Sequence, residues 1–307
     1  MNIVILGAGA LGSVLGGLMA GADISVTLLD VNDAHISAIN KNGLILHQDG
    51  QRSTLELPAM RPEAYTGPAE LIILLTKTMH TAAALASVQR LLDNGAYVLT
   101  IQNGLGNADR VAQTVPRERI LEGSTMINGR FHGPGDVATN GVSKTTFRAL
   151  SERAQPFAEE LASLLAPVHF VNEPAAGVVI WQKAAFNCAM NAIAALAGAR
   201  VGDIGNEPSA IALARAASAE VVAIANAKGI PVELSAVHAQ IEKALREHKP
   251  HKPSMLQDLE AGRPTEIESL CGTAEKEASS LGLQAPLNAA LAALVRLKER
   301  AAKTKWD

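Results

Sequence analysis

Two cysteines in 307 residues are too few to brace a fold covalently. Cys188 and Cys271 stand far apart in helical-looking segments, with no CxxC pair and no ligand cluster around them. That pattern excludes a disulfide framework, leads us to expect no metal, and suits a reducing, cytoplasmic compartment. Charge of one sign is also scarce in excess: the net charge is −3 with both signs scattered, so there is no basic footprint for nucleic acid. The N-terminal stretch MNIVILGAGALGS lacks the basic region of a secretory signal. Internal repeats and low-complexity segments are absent, and the tail KERAAKTKWD, 298–307, reads as frayed. One apolar run, 174–199, has the length to span a bilayer, but it is Ala-rich and holds Lys183 near its middle. A lysine at a bilayer centre costs roughly 2.5–3.5 kcal/mol, which weakly apolar alanines do not offset. We therefore expect a buried helix in a soluble protein, with no membrane partner.

What is present is apolar sequence, 48% of the chain, enough for sizeable cores in two domains. Residues 2–6 and 24–29 are short β-branched runs, each followed by a helical pattern, at 11–21 and at 33–42 ending on Gly43. ELIILLTK (70–77) and YVLTIQ (97–102) are continuous apolar runs, as strands buried on both faces require, with a helical segment at 80–92 between them. This alternation calls for a doubly wound parallel sheet. Beyond about 120 the strands shorten, with HGPGDV marking a turn, and from about 174 nearly everything reads as helix. The fold class is α/β plus all-α: a parallel-sheet domain over 1–170 and a helical domain over 171–307. The cleft between two such domains is a natural ligand site. The Ala-rich helical surfaces could also support a homodimer.

The first strand runs directly into Gly7-Ala8-Gly9-Ala10-Leu11-Gly12, which opens a helix. A lone GxGxxG is weak, but strand before and helix after is the setting in which it cradles a pyrophosphate. Gly7 permits the tight turn, Gly9 the close approach of phosphate, and Gly12 the packing of helix on strand. The helix N-terminus then offers unpaired N–H groups and a positive dipole end. Asp30 ends the second strand, where a carboxylate accepts from the ribose hydroxyls of NAD and repels the 2′-phosphate of NADP. Asp30 could instead cap the following helix. Either way, 28–33 (LLDVND) holds two acids and no base, which favours NAD(H). Lys77 and Asn103 end two further buried strands, the edge at which open α/β sheets bind ligands, although Asn-Gly is also a common turn pair.

In the helical half, VVIWQKAAFNCAMNAI (178–193) sets three polar residues into an apolar run. Lys183, Asn187 and Asn191 are spaced i, i+4, i+8, so they share one helical stripe. A solvated stripe would carry more charge; these neighbours are Gln182, Ala184, Cys188 and Ala192. The stripe reads as the wall of a polar pocket, in which desolvation lowers a lysine pKa toward working pH and fits it for acid–base chemistry. At 250–268, PHKPSMLQDLEAGRPTEIE, the spacing alone reads as helix capping: Ser254 with Gln257, and Thr265 with Glu268.

Taken in order, GAGALG, LLTK, QNGLG, K-x3-N-x3-N at 183–191 and PSMLQDL…TEIE at 253–268 resemble the ketopantoate reductase family. The two distant motifs are far more specific than the glycines. The resemblance implies reduction of a 2-oxo acid, 2-dehydropantoate, to (R)-pantoate in pantothenate biosynthesis. It implies that Lys183 is the general acid, that Asn187 and Asn191 hold substrate oxygens, and that Ser254 binds the substrate carboxylate. Glu266 would accept from a hydroxyl and orient Lys183, while Lys77 and Asn103 would meet cofactor and substrate from the dinucleotide domain. Most members use NADP(H) and carry a base where Asp30 stands. His251 falls where an Asn is often found, and Val201-Gly202 where some members offer a further polar ligand. These departures suit the alternative of an NAD-dependent (R)-2-hydroxy acid dehydrogenase acting on a branched or aromatic 2-oxo acid. A dinucleotide-binding sensor without turnover is the remote third reading.

Overall fold

A computed structural model describes residues 1–302 of the chain. They form two compact units: Met1–Gln102 with Asn107–Ala176, and Asn103–Gly106 with the residues from Gly177 onward.

The first unit runs β1 (Ile3–Leu6), α1 (Ala10–Gly21), β2 (Val26–Leu29), α2 (Asp33–Asn42), β3 (Leu44–Gln48), β4 (Gln51–Leu55), β5 (Ala59–Met60) and β6 (Leu71–Leu74). It continues through α3 (Thr81–Ser87), α4 (Gln89–Asp93), β7 (Tyr97–Thr100), α5 (Asn107–Val111), β8 (Ile120–Thr125), β9 (Arg130–Gly133) and β10 (Asp136–Thr139). β11 (Thr145–Ala149), α6 (Gln155–Leu164) and β12 (Phe170–Asn172) complete it. Eight strands join in the order β12-β11-β8-β7-β6-β1-β2-β5. β1 pairs in parallel with β2 on one side and β6 on the other, so the direction of winding reverses at β1. The runs IVIL and LIIL are buried at every position, as strands covered on both faces must be.

The helix of 80–92, two strands and a second sheet differ from the expected outline. The single helix expected over 80–92 is broken at Val88, whose N–H bonds Leu85 three residues back while its carbonyl restarts the next turn with Leu91. The break keeps Leu85, Val88, Leu91 and Leu92 all buried against one face of the sheet. The strands of 70–77 and 97–102 are shorter than their apolar runs, ending at Leu74 and Thr100, and the residues beyond form turns. A second sheet, β4-β3-β10-β9, pairs β10 with β3 in parallel across a long stretch of intervening chain.

The second unit is helical: α7 (Ala176–Ala197), α8 (Val201–Gly205), α9 (Pro208–Ala227), α10 (Leu234–Glu247), α11 (Ser254–Glu260), α12 (Cys271–Ser280) and α13 (Pro286–Ala301). Its core is built largely from alanine, with Ala184, Ala185, Ala189, Ala192, Ala214, Ala217 and Ala274 all buried, which lets helices approach closely. Cys188 and Cys271, remote in sequence, meet in this core as free thiols, Cys271 Sγ donating to the Cys188 carbonyl at 3.6 Å. α7 ends where Lys298 donates to the carbonyls of Ala195 and Leu196 at 2.6 and 3.0 Å and Gly198 takes φ +65°. One helix, α9, is long and apolar enough to cross a membrane, yet it contributes Ala214, Ala217, Val221 and Ile224 to the core. Of the tail expected to fray, 298–301 continue α13, and 303–307 lie outside the described residues.

Candidate active site

The glycine turn is shaped as its spacing predicts. Gly7 adopts φ +103°, and a Cβ there would stand 2.6 Å from the Thr76 nitrogen. The turn after β1 is thus packed against the turn after β6, where the winding reverses. A Cβ on Gly12 would sit 2.1 Å from the Gly7 carbonyl oxygen, so only glycine closes helix on turn. Gly9 is the N-cap of α1, accepts from the Ser13 N–H, and offers no side-chain cap; the first turn of α1 holds no acid. A Cβ on Gly9 would meet nothing within 4 Å, so this edge of the turn is an open cradle at a helix N-terminus. Ala8 is buried behind it, and Ala10 and Leu11 are half-buried. The residues present therefore fit a dinucleotide pyrophosphate.

Two residues that sequence reasoning missed hold this turn. His35 Nδ1 accepts the Gly135 N–H at 2.9 Å, which leaves Nε2–H to donate to Ser13 Oγ at 2.8 Å. Ser13 in turn donates to the Ala8 carbonyl at 2.8 Å. Burial lowers the His35 pKa, in keeping with a neutral ring in this chain. Neither residue had a spacing signal, because the chain of bonds joins α1, α2 and the β9–β10 turn.

Asp30 stands at the end of β2, half-buried, its Oδ1 accepting the Asn32 N–H at 2.9 Å. The helix cap is Asn32, which accepts from the His35 N–H at 3.2 Å, so Asp30 does not cap α2. A base does reach this edge, although the window 28–33 contains none. Because Asp30 N–H donates to Met60 in the neighbouring β5, Arg61 arrives beside β2 and binds Asp33 through two hydrogen bonds, 2.7 and 2.6 Å. Asp33 holds the Arg61 pKa up, and Arg61 holds that of Asp33 down.

Lys77, half-buried, begins the short 3-10 turn Thr78–His80 that follows β6. Buried Gln102 fixes that turn: its Nε2 donates to the Thr76 carbonyl at 2.7 Å and to Thr81 Oγ1 at 3.0 Å, while Oε1 accepts from Thr100 at 3.0 Å. Asn107 then joins Thr78 to the Gln102 carbonyl at 3.1 Å each.

Asn103 lies with the helical unit rather than with the dinucleotide unit in which the sequence reading set it. The physical reason is Gly104: with φ +93° it lets the loop press on Ser269, where a Cβ would stand 2.4 Å from the carbonyl oxygen. Leu105 N–H seals the contact by donating to the same oxygen at 2.7 Å. Within this unit Asn103, Asn187, Asn191, Ser254, Asp258 and Glu266 line one small hollow, floored by Met255 and Leu270. Lys183 precedes Asn187 by one turn of α7, and its ammonium lies in the field of Glu266. Burial pulls the Lys183 pKa down to about 8 against the opposing pull of the Glu266 carboxylate. The other faces of this stretch of α7 carry buried Ala184, Ala185, Cys188 and Ala189.

The 253–268 segment departs from its capping reading. Ser254 is the first residue of α11, and its hydroxyl donates to Asn191 Oδ1 at 3.3 Å instead of bonding within the helix. The same oxygen accepts the Met255 N–H at 3.3 Å, so buried Asn191 itself secures the start of α11. Thr265 Oγ1 accepts the Ile267 N–H, but Glu268 pairs with Arg296 and Glu299 takes the Thr265 N–H. Asp258 was also missed: it is buried at the hollow and paired with Arg263 at 3.0 Å. The candidate residues thus fall in two groups, the glycine turn with Asp30 and Lys77 in the first unit, and Lys183, Asn187, Asn191, Ser254, Glu266 and Asn103 in the second.

Comparison with known proteins covers both units. Residues 3–152 match the family model described as ketopantoate reductase PanE/ApbA, and residues 178–299 match its C-terminal counterpart. A 2-dehydropantoate 2-reductase of Halobacterium salinarum is 32% identical over 303 residues, covering 98% of this chain and 99% of the relative. The structure of D-mandelate dehydrogenase with NADH and anilino(oxo)acetate superposes with a TM-score of 0.94 at 28% identity, over 99% of this chain and 100% of that one. A putative 2-dehydropantoate 2-reductase of Enterococcus faecalis gives 0.77 at 31% identity over the same shares. These similarities over nearly the whole chain make it an NAD(P)-dependent 2-oxo acid reductase. Within that class, the chain belongs to the ketopantoate reductase family.

Proposed function

We propose that the protein reduces 2-dehydropantoate to (R)-pantoate, with NADH preferred over NADPH and Lys183 as the general acid. The observation that carries this reading is Lys183, desolvated to a pKa of about 8 beside Glu266 and one helical turn from a hollow of amides. At neutral pH such an amine is mostly protonated yet close enough to working pH to give its proton up. When bound, the nicotinamide supplies hydride to C2 of the substrate. The Lys183 Nζ proton goes to the carbonyl oxygen, and the ammonium stabilises the negative charge that grows there before the transfer completes. Glu266 keeps the ammonium protonated and accepts from a substrate hydroxyl. Asn187 and Asn103 donate to substrate oxygens. Asn191 has its carbonyl committed to α11, so its amide NH2 is the end left for a ligand, and Ser254 takes the carboxylate. Gly7, Ala8, Gly9, Ala10, Leu11 and Gly12 hold the pyrophosphate, Asp30 the ribose, and Lys77 the cofactor and substrate. The working division is a dinucleotide-binding domain over 1–170 and a helical substrate domain over 171–307, in a cytoplasmic enzyme.

A second reading has specific support: an NAD-dependent (R)-2-hydroxy acid dehydrogenase for a branched or aromatic 2-oxo acid. Asp30 with Asp33 disfavours a 2′-phosphate, and the similarity to a D-mandelate dehydrogenase bound to NADH points the same way. Exposed Leu294 and Leu297 on α13 offer an apolar patch for a homodimer. Initial rates of NADH and NADPH oxidation over a panel of 2-oxo acids decide between the readings. Fast turnover of ketopantoate supports the first; fast turnover of an aromatic 2-oxo acid with negligible rate on ketopantoate supports the second.

A further inference from the structure

The second sheet of the first unit carries a feature that the reductase chemistry does not use. His47 on β3, His132 on β9 and Asp136 on β10 bring three ligand atoms within 4.8 Å of one another. His47 Nε2 lies 3.1 Å from Asp136 Oδ1, and His132 Nδ1 lies 3.3 Å from the same oxygen. We propose that these three side chains form a binding site for a borderline divalent cation of the Zn2+ type.

The geometry argues for it in two ways. Donor atoms about 2.0–2.1 Å from a tetrahedral Zn2+ stand roughly 3.3 Å apart, and two of the three separations here, 3.1 and 3.3 Å, lie close to that value. The third, between the ring nitrogens, is no more than 4.8 Å. Second, Asp136 Oδ1 is buried and accepts no aligned hydrogen bond, although two imidazole nitrogens face it. A cation would satisfy this oxygen and take the lone pairs of both imidazoles, displacing the 3.4 Å hydrogen bond between His47 Nε2 and Asp136 Oδ2. Two imidazoles and one carboxylate select zinc and its late first-row neighbours over Mg2+ or Ca2+, which need more oxygens. The remaining positions fall to water, since all three side chains keep partial exposure.

The sequence concealed this set because its members come from three strands, with His47 and Asp136 separated by 89 positions. The pairing assembles them: β10 lies between β3 and β9, and its register with β9 shifts at Asp136/Val137, beside the ligand. An ion here would cross-link three strands of the sheet that packs on α1. Its expected effect is therefore on stability rather than on the hydride step.

The experiment is titration of tag-free, chelator-stripped protein with ZnCl2 alone, followed by calorimetry and by thermal unfolding. One ion binds per chain with micromolar or tighter affinity, and the unfolding temperature rises with Zn2+ concentration, because an ion held only by the folded state stabilises it by mass action. His47→Ala and Asp136→Asn each lose that ion and that rise while NADH-dependent turnover is unchanged. His132→Gln, an exposed position, serves as the milder variant should either of the others fail to fold. Mg2+ at the same concentrations leaves the unfolding temperature where it was. Absence of saturable Zn2+ binding overturns the proposal. So does binding that survives in folded His132→Gln or Asp136→Asn, because the ion would then sit elsewhere.

Discussion

Asp33 holds Arg61 by both carboxylate oxygens, at 2.7 and 2.6 Å, on the edge where β2 and β5 end. Asp30 lies at the same edge, and Glu63 adds a further negative charge in the field of Arg61. The Arg61 guanidinium is thus engaged by a carboxylate and is not presented alone at this edge.

Asp33→Asn should release Arg61 and raise kcat/KM with NADPH by roughly tenfold, equivalent to about 1.4 kcal/mol. The pair is exposed, so folding should be unaffected. Adding Arg61→Ala should cancel the gain. An unchanged NADPH/NADH ratio in Asp33→Asn would remove Arg61 from any part in cofactor choice.

Lys183→Ala should lower kcat by about 10²–10⁴ while NADH still binds. The wild-type profile follows from the depressed pKa of about 8. With Lys183 as the proposed proton donor, the reduction rate should fall as pH rises through 8, and oxidation of the hydroxy acid, which would use the free amine, should rise there. A reduction rate that is flat from pH 7 to 9 would argue that another group supplies the proton.

Glu266 pulls the Lys183 pKa upward, against burial. Glu266→Gln should therefore move the alkaline limb of the reduction profile to lower pH, in addition to any loss in kcat. If the limb stays in place, the field of Glu266 at Lys183 is not what sets the proton's affinity.

The glycines separate fold from ligand. Gly9→Ala adds a methyl that meets nothing within 4 Å, so unfolding temperature should hold while KM for NADH rises. Gly12→Ala places its Cβ 2.1 Å from the Gly7 oxygen and should destabilise the unit itself. Paired thermal melts and cofactor titrations measure both.

Asn191→Ala should lower stability by about 1–3 kcal/mol, because it strips the buried acceptor from the Met255 N–H and the Ser254 hydroxyl. Ser254→Ala removes an exposed hydroxyl and should raise KM for the 2-oxo acid with little change in the denaturation midpoint. Equal loss of stability in both would mean Ser254 serves α11 and not the substrate.

Local pattern alone carried much of this. Continuous apolar runs marked β1 and β6, the glycine spacing marked the turn before α1, and Gly43 marked the end of α2 with φ +75°. The i, i+4, i+8 stripe of Lys183, Asn187 and Asn191 was readable because one helix carries all three. Each of these depends on neighbours within a turn or a strand, and backbone geometry enforces them.

Only tertiary structure decided the rest. Ser254 with Gln257 has capping spacing, yet Ser254 lies inside α11 after the N-cap Pro253, and its hydroxyl donates to Asn191, 63 positions away. The window after β2 holds no base, yet strand pairing delivers Arg61 to it. Asn103 ends an apolar run, yet the loop it begins packs through Gly104 and Leu105 on Ser269 of the helical unit. Composition and period specify which face of each element is buried; which distant charge or amide meets that face is set by the packing of one element on another, and spacing along the chain does not encode it.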